Sequence, residues 1–356
     1  MARRVHLHVG APKTGSTYVQ NVLWKNRDAL KKAGILLPGS VAAHDQAMTD
    51  LRSVPWRDPA STWTWDRLAA EAAAWPGDVV ITNEGLGGAT AEQAERAVRS
   101  LAPAEVHVIV AGRDLWRTFP SVWQQGVRAR NVGRLDDFLG AVEQGKNDAF
   151  WDHTTNRMLM RWGDLVPADR RHLITVPPAG TPHDVLWQRF ARVIGIPEGV
   201  CVIAAPPANP SLGAAEIEVL RRVNAALGDR YPHRTPYQKV VQRHLVDAVL
   251  KRAPNRVRFG VGAGRAGWVL DLADRQIKEL DGYPCRVEGD LSELRPATVD
   301  RHPSPDELDD GQILQAAIES IVGLLGQADA LHQQAAAPRT FARLRSRAAR
   351  GLRRDR

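Results

Sequence analysis

The sequence is poor in cysteine and has no long apolar segment. Cys201 and Cys285 are the only cysteines among 356 residues, and their spacing is not that of metal ligands, so we expect neither a disulfide framework nor a zinc site. No stretch approaches the roughly 20 apolar residues of a membrane span, and the first residues, MARRVHLHVG, lack the apolar core of a signal peptide. We therefore expect a cytoplasmic globular protein, since 44% hydrophobic and 25% charged residues suffice for a core and a surface.

The positive charge of the chain is concentrated at its C-terminal end. The formal net charge is +8, but residues 339–356 contain eight arginines and one aspartate, a net of +7, which leaves +1 for all preceding residues. We therefore expect no nucleic-acid partner for the body of the chain. The arginine-rich tail is either a solubilising terminus or a basic amphipathic segment that makes weak contact with an anionic membrane.

Strand and helix patterns alternate along much of the chain. The predicted strands are Val5–Val9, Val79–Thr82, Val106–Ala111 and HLITV at 172–176, and helical patterns separate them. This alternation predicts an α/β protein, in which a central parallel sheet is flanked by helices in a three-layer, P-loop-like fold. We assign residues 1–295 to this domain, 296–311 to a linker rich in proline and acidic residues, and 312–356 to a C-terminal helix and basic tail.

The segment HVGAPKTGSTYVQ, after the first predicted strand, has the outline of a phosphate-binding loop. Gly10 and Gly15 keep the spacing of the Walker pattern GxxxxGK[ST], and Thr17 keeps its hydroxyl. Ser16 stands where that pattern has lysine, and Lys13 lies inside the loop. Backbone N–H groups and a helix dipole bind one phosphate in such a loop, and an inward lysine suits neutralisation of charge on a leaving oxygen.

The residues PKTGST resemble the 5′-phosphosulfate loop of the sulfotransferase family, whose donor is 3′-phosphoadenosine 5′-phosphosulfate (PAPS). They match the family pattern PK[ST]G[ST]T at all positions. The resemblance implies that the donor is bound by Pro12, Lys13, Thr14, Gly15, Ser16 and Thr17.

A second motif is similar to the same family. The segment GRDLWRTFPS supplies Arg113 after the third predicted strand and Ser121 eight residues later. In the family, an arginine and a serine at this spacing bind the 3′-phosphate of PAPS. Eight helical residues rise about 12 Å, and an extended arginine covers about half of that distance, so both groups can meet one phosphate between them. If Thr118 caps the helix and Pro120 lies in its first turn, Ser121 would also present its amide to the anion.

The remaining roles are assigned by position. The resemblance covers about Val5–Pro197, and beyond it Arg265 is the candidate for completing the adenine site. Transfer to a hydroxyl needs a general base next to the acceptor. Glu84, at the end of the second predicted strand, takes the position that the resemblance implies for the base, and His44 in the preceding loop is the alternative.

His6 and His8 alternate on the first predicted strand and therefore share one face of the sheet. Because no third ligand has a recognisable spacing, we expect both in the core or against a helix rather than on a metal.

The resemblance implies a sulfotransferase that moves a sulfuryl group from PAPS to a small-molecule, glycolipid or saccharide acceptor. It implies in-line displacement at a hydroxyl or amine, adenosine 3′,5′-bisphosphate (PAP) as product, and no required metal. Two alternatives stay open. A P-loop kinase or NTPase would use Mg²⁺ held by Asp114, which ends an apolar strand, and a binding module would use the basic tail to dock on an acidic polymer or membrane.

Overall fold

A six-stranded sheet with all strands parallel organises the first part of the chain. The strands are β1 Arg4–Gly10, β2 Ile35–Leu36, β3 Asp78–Thr82, β4 Glu105–Gly112, β5 Arg171–Thr175 and β6 Arg286–Glu288. In a computed structural model, which describes residues 1–203, 211–297 and 302–336, their order is β2-β3-β1-β4-β5-β6. The predicted α/β fold with a central parallel sheet is therefore confirmed.

Helices separate the strands along the chain. In chain order they are α1 Ser16–Lys25, α2 Arg27–Lys32, α3 Val41–Leu51, α4 Trp65–Ala74, α5 Ala91–Ser100, α6 Leu115–Arg128, α7 Leu135–Glu143, α8 Asp148–Trp151, α9 Thr155–Gly163, α10 Asp184–Ile194, α11 Ala214–Leu227, α12 Arg234–Tyr237, α13 Ala266–Asp281 and α14 Asp310–Ala336. A π-helical segment, Gln238–Asp247, follows α12, and a short 3-10 turn, Glu84–Gly88, follows β3. None of the helices in the described part of the chain has both the length and the hydrophobicity needed to cross a bilayer.

The local patterns predict the four long strands and miss the two short ones. β2 and β6 have two and three residues, which is too short for a periodic pattern. The helical pattern after β1 forms two helices, α1 and α2, because Asn26 interrupts it and the Asn26 side-chain amide donates to the Val22 carbonyl. Helix α3 lies in a segment of weak periodicity, where the Ser40 hydroxyl caps it.

The alternation of side chains along the strands divides the core into one layer on each face of the sheet. Leu7 of β1 packs in a layer with Trp162 of α9, and Val80 of β3 and Ile109 of β4 pack in the other layer with Phe190 of α10. All five are at most 1% exposed. Parallel strands that are covered on both faces in this way are fully buried, which explains their nearly continuous apolar sequences.

Four histidines occupy the sheet face that is covered by α1 and α10. His6 and His8 are buried, as predicted, and the His8 ring lies 4.9 Å from the ring of Phe190. The rings of His6 and His107 are 5.1 Å apart, and His107 Nδ1 lies 3.0 Å from His172 Nε2 on the next strand. Burial lowers the pKa of His6 to about 3 and the pKa values of His8 and His172 to about 4.

Among the described residues, 211–257 and 308–336 belong to a second compact unit, whereas 1–203, 258–297 and 302–307 belong to the first. Within the second unit α11 packs against α14, and the buried Tyr237 hydroxyl donates to Asn224 at 2.7 Å. This division differs from the predicted one, because two segments far apart in sequence share a core that composition along the chain does not reveal. The basic tail, residues 339–356, lies outside the described residues.

We predict that the free energy of unfolding decreases as the pH falls from about 6.5 toward 4. In this range the unfolded chain protonates its histidines at their ordinary pKa of about 6.5, whereas folded His6 and His8 stay neutral, so protonation favours the unfolded state. His6→Leu should therefore flatten the dependence of unfolding free energy on pH, measured by urea titrations at several pH values. Substitution of the exposed His233 by leucine is the control, and equal slopes for both variants would contradict the prediction.

Candidate functional site

The chain changes direction across the sheet between β1 and β4. After β1 it runs to β2 at one edge and returns through β3, whereas after β4 it continues through β5 to β6 at the other edge. Open parallel sheets bind their ligands at the carboxyl ends of the strands, at such a switch point. The segments that follow β1 and β4 meet there, since the Ala11 N–H donates to the Ala111 carbonyl at 3.0 Å.

The loop between β1 and α1 is a tight turn that ends on a helix N-terminus. Lys13 has a φ of 68° and Gly15 a φ of 86°, so both adopt left-handed backbone conformations. The buried Thr14 hydroxyl donates to the Ala11 carbonyl at 2.6 Å and closes the turn. Helix α1 begins at Ser16, and its first amides have no acceptor within the helix, which makes this end suited to an anion.

The predicted donor-binding residues of the loop differ in accessibility. Thr14 and Ser16 are buried, Pro12 and Lys13 are half-buried, and Thr17 is exposed. Since the Thr14 hydroxyl is already bonded inside the turn, its side chain holds the shape of the loop. Lys13 and Thr17 keep accessible surface through which a ligand could be contacted.

Arg113 brings the second motif to the loop. β4 ends at Gly112, and the guanidinium of the next residue returns to the turn, where Nη1 donates to the Lys13 carbonyl at 3.0 Å. Burial, reinforced by the nearby Arg117, lowers the pKa of Arg113 to about 10, which leaves it cationic at neutral pH. Two motifs separated by 100 residues therefore lie at one site.

Helix α6 begins earlier than predicted, and this changes the position of Ser121. Its N-cap is Asp114 rather than Thr118, because the Asp114 Oδ1 accepts the Arg117 N–H at 2.9 Å. Pro120 lies inside the helix, and the Ser121 Oγ donates to the Arg117 carbonyl at 2.9 Å. The predicted contact of the Ser121 amide with an anion is wrong for this reason, and the hydroxyl is the group through which Ser121 could act.

The carboxylate of Asp114 is occupied on both oxygens. Oδ1 caps α6, and Oδ2 forms an ion pair with the Arg117 Nε. This environment is that of a helix cap and does not favour the Mg²⁺ ligand of the kinase alternative. Within residues 1–203, 211–297 and 302–336, no group of three or more His, Cys, Asp or Glu side chains is arranged to hold a metal ion.

Glu84 lies at the same edge of the sheet, directly after β3. It is the first residue of the turn Glu84–Gly88, which Asn83 caps by accepting the Gly85 N–H at 2.8 Å. The half-buried carboxylate accepts a hydrogen bond from Gln20 Nε2 at 3.0 Å. Gln20 belongs to α1, so the candidate base is tied to the helix that begins at the loop.

His44, the alternative base, is held inside the core. It is 3% exposed, its Nδ1 lies 3.3 Å from the Thr82 N–H nitrogen, and its Nε2 lies 3.0 Å from the Pro38 carbonyl oxygen. Burial lowers the pKa of His44 to about 4. Because backbone groups engage both ring nitrogens, this arrangement favours Glu84 over His44 as the base.

The structure places Arg265 differently from the sequence assignment and adds Gln20 to the site. Arg265, the candidate for the adenine site, forms ion pairs with Asp136 at 3.3 Å and Glu143 at 2.8 Å, so its charge is neutralised on α7. Gln20 was not identified from the sequence. Its position four residues after Ser16, on the same face of α1, is the signal that could have indicated it.

We predict that Gly15→Ala destabilises the protein more than Gly34→Ala does. Both glycines have a φ near 86°, for which alanine costs roughly 1–2 kcal/mol. A Cβ at Gly15 would also lie 2.6 Å from the Leu186 Cδ2, whereas a Cβ at Gly34 would meet no atom within 4 Å. Urea unfolding of both variants measures the difference in the free energy of unfolding. Equal decreases would contradict the prediction and show that the Leu186 side chain can move aside without a loss of stability.

Comparisons of the chain with protein-family profiles, with curated protein sequences and with solved structures found no match. The geometry of the loop, Arg113 and Glu84 therefore carries the functional argument.

Proposed function

We propose that this protein is a PAPS-dependent sulfotransferase with a P-loop-like donor site. The observation that carries the proposal is the hydrogen bond from Arg113 to the Lys13 carbonyl at the switch point of the sheet. This hydrogen bond joins Lys13, which the sequence resemblance assigns to the 5′-phosphosulfate of PAPS, and Arg113, which it assigns to the 3′-phosphate.

The loop and Arg113 would divide the anionic charge of PAPS between them. The first amides of α1, with Ser16 and Thr17, suit the 5′-phosphate, which a helix N-terminus favours electrostatically. The Arg113 guanidinium and the Ser121 hydroxyl are assigned to the 3′-phosphate, for which a planar guanidinium offers paired donors. No carboxylate of the described residues lies within ion-pair distance of Arg113, so its charge is available to a ligand.

The transfer itself needs a base and a stabilised leaving group. Glu84 would accept the proton of the acceptor hydroxyl or amine as its oxygen or nitrogen forms a bond to sulfur. The bond between sulfur and the bridging phosphate oxygen breaks in the same displacement, and Lys13 would stabilise the negative charge that develops on that oxygen. The products are the sulfated acceptor and PAP.

The proposed acceptor is a small molecule, glycolipid or saccharide. We propose no nucleic-acid partner, and we assign weak membrane contact to the arginine-rich tail. The kinase alternative is less favoured, because Arg117 occupies both oxygens of Asp114.

Isothermal titration calorimetry with PAP and AMP tests the donor assignment. We expect PAP to bind at least tenfold more tightly than AMP, because only PAP has the 3′-phosphate, and we expect Arg113→Ala to remove most of this preference. Loss of a charge-assisted hydrogen bond of about 1.5–3 kcal/mol corresponds to a tenfold or larger effect. The exposed Arg99, which pairs with Glu95 on α5, supplies the control variant Arg99→Ala. Equal affinities for PAP and AMP in the unaltered protein would exclude the proposal.

Glu84→Gln tests the base. We expect kcat to fall by about 10²–10⁴, because general base catalysis contributes on this order, while PAP affinity stays unchanged. Activity is measured with radiolabelled PAPS and a panel of hydroxyl and amine compounds. His44→Gln is the comparison: it should reduce stability and leave the kcat of the folded protein close to that of the unaltered enzyme. The opposite pattern would assign the base to His44.

A further inference from the structure

A pair of arginines surrounds the turn that carries Glu84. Arg52 directly follows α3, and its Nη1 donates to the Gly85 carbonyl at 2.8 Å. Arg161 lies on α9, and its Nη2 donates to the Gly87 carbonyl at 2.6 Å. Both contacts are made to the five-residue turn Glu84–Gly88. Two guanidinium groups from different helical segments therefore converge beside the proposed base.

The positive charges of this pair are not balanced by direct ion pairs. No carboxylate in the described ranges lies within 4 Å of the guanidinium nitrogens of Arg52 or Arg161, although other arginines of the chain form close pairs of this kind. The Asp152 carboxylate is paired with Arg157 at 3.7 Å, and the Arg161 Nη2 donates to the backbone carbonyl of Asp152. The Arg161 Nε is buried and has no hydrogen-bond partner.

His153 lies next to Arg52 at the end of this turn. The absence of a side chain at Gly88 leaves room for both neighbours, since a Cβ there would lie 2.5 Å from the Arg52 Nη2 and 2.7 Å from the His153 Nε2. The His153 Nδ1 is engaged by the Ala149 carbonyl at 2.8 Å, which fixes the ring. Burial, and then the charge of Arg161, lower the pKa of Arg52.

We infer that Arg52 and Arg161 bind an anionic group of the acceptor, a carboxylate or a sulfate, while Glu84 faces the group to be sulfated. This inference rests on the proposed function and narrows its acceptor to molecules that already carry negative charge. Guanidinium groups hydrogen-bond planar or tetrahedral oxyanions with good geometry. A bound oxyanion would also relieve the repulsion between the two cations, which the backbone carbonyls offset only in part.

The test compares two probes that differ in one charged group. 4-Nitrophenyl β-glucuronide carries a carboxylate where 4-nitrophenyl β-glucoside carries a hydroxymethyl group. Their affinities are measured by calorimetry, with and without PAP, at matched ionic strength. We expect the glucuronide to bind about tenfold more tightly, the factor that corresponds to one net charged hydrogen bond. Arg161→Gln and Arg52→Gln should remove this preference.

Arg157→Gln is the matched control, because it removes a guanidinium from the same helix, one turn away, that is already paired with Asp152. It should retain the preference for the glucuronide. Arg161→Lys is a second variant in case Arg161→Gln does not fold. It keeps the positive charge and should retain part of the preference for the glucuronide. Equal affinities for both probes in the unaltered protein, or an unchanged preference in Arg161→Gln, would overturn the inference. PAP titration of the same preparations tests the proposed function separately.

Discussion

The hydrogen bond between the Arg113 guanidinium and the Lys13 carbonyl is the contact on which the candidate site depends. It joins the ends of β1 and β4, where the chain changes direction across the sheet, and it fixes a backbone segment whose left-handed conformation is unfavourable for a residue with a side chain. The same contact keeps a cation beside the amides of α1. One interaction thus sets the shape of the loop and the sign of its electrostatic potential.

The electrostatics of the site follow from which carboxylates are already engaged. Asp114 caps α6 and pairs with Arg117, so it cannot neutralise Arg113 directly. Glu84 accepts a hydrogen bond from the Gln20 amide, and no cation among the residues that the structure describes forms an ion pair with its carboxylate. The sheet edge therefore presents the Arg113 guanidinium at the loop and the Glu84 carboxylate after the adjacent strand β3. This separation of charge is the arrangement that a transfer from an anionic donor to a neutral hydroxyl requires.

Features encoded within a few residues were predictable from the sequence. The long strands, the loop and the position of Arg113 at a strand end all leave local patterns, because a buried parallel strand is continuously apolar and a tight turn needs particular residues. The predicted start of α6 was wrong because two residues could serve as its N-cap. Asp114 is a better cap than Thr118 when Arg117 can pair with it. The core position of His44 depends on the backbone of β3, which no local pattern contains.

The arginine pair at the turn Glu84–Gly88 shows why an acceptor site is harder to predict than a donor site. Arg52 and Arg161 come from segments more than a hundred residues apart, and neither stands in a motif; tertiary packing alone brings them together. Partial burial of two guanidinium groups that have no ion-pair partner among the described residues costs free energy that folding must offset. A purely structural role would be served equally well by neutral donors to the same carbonyls. The positive charge of both side chains is the property that our inference assigns to an anion bound between them.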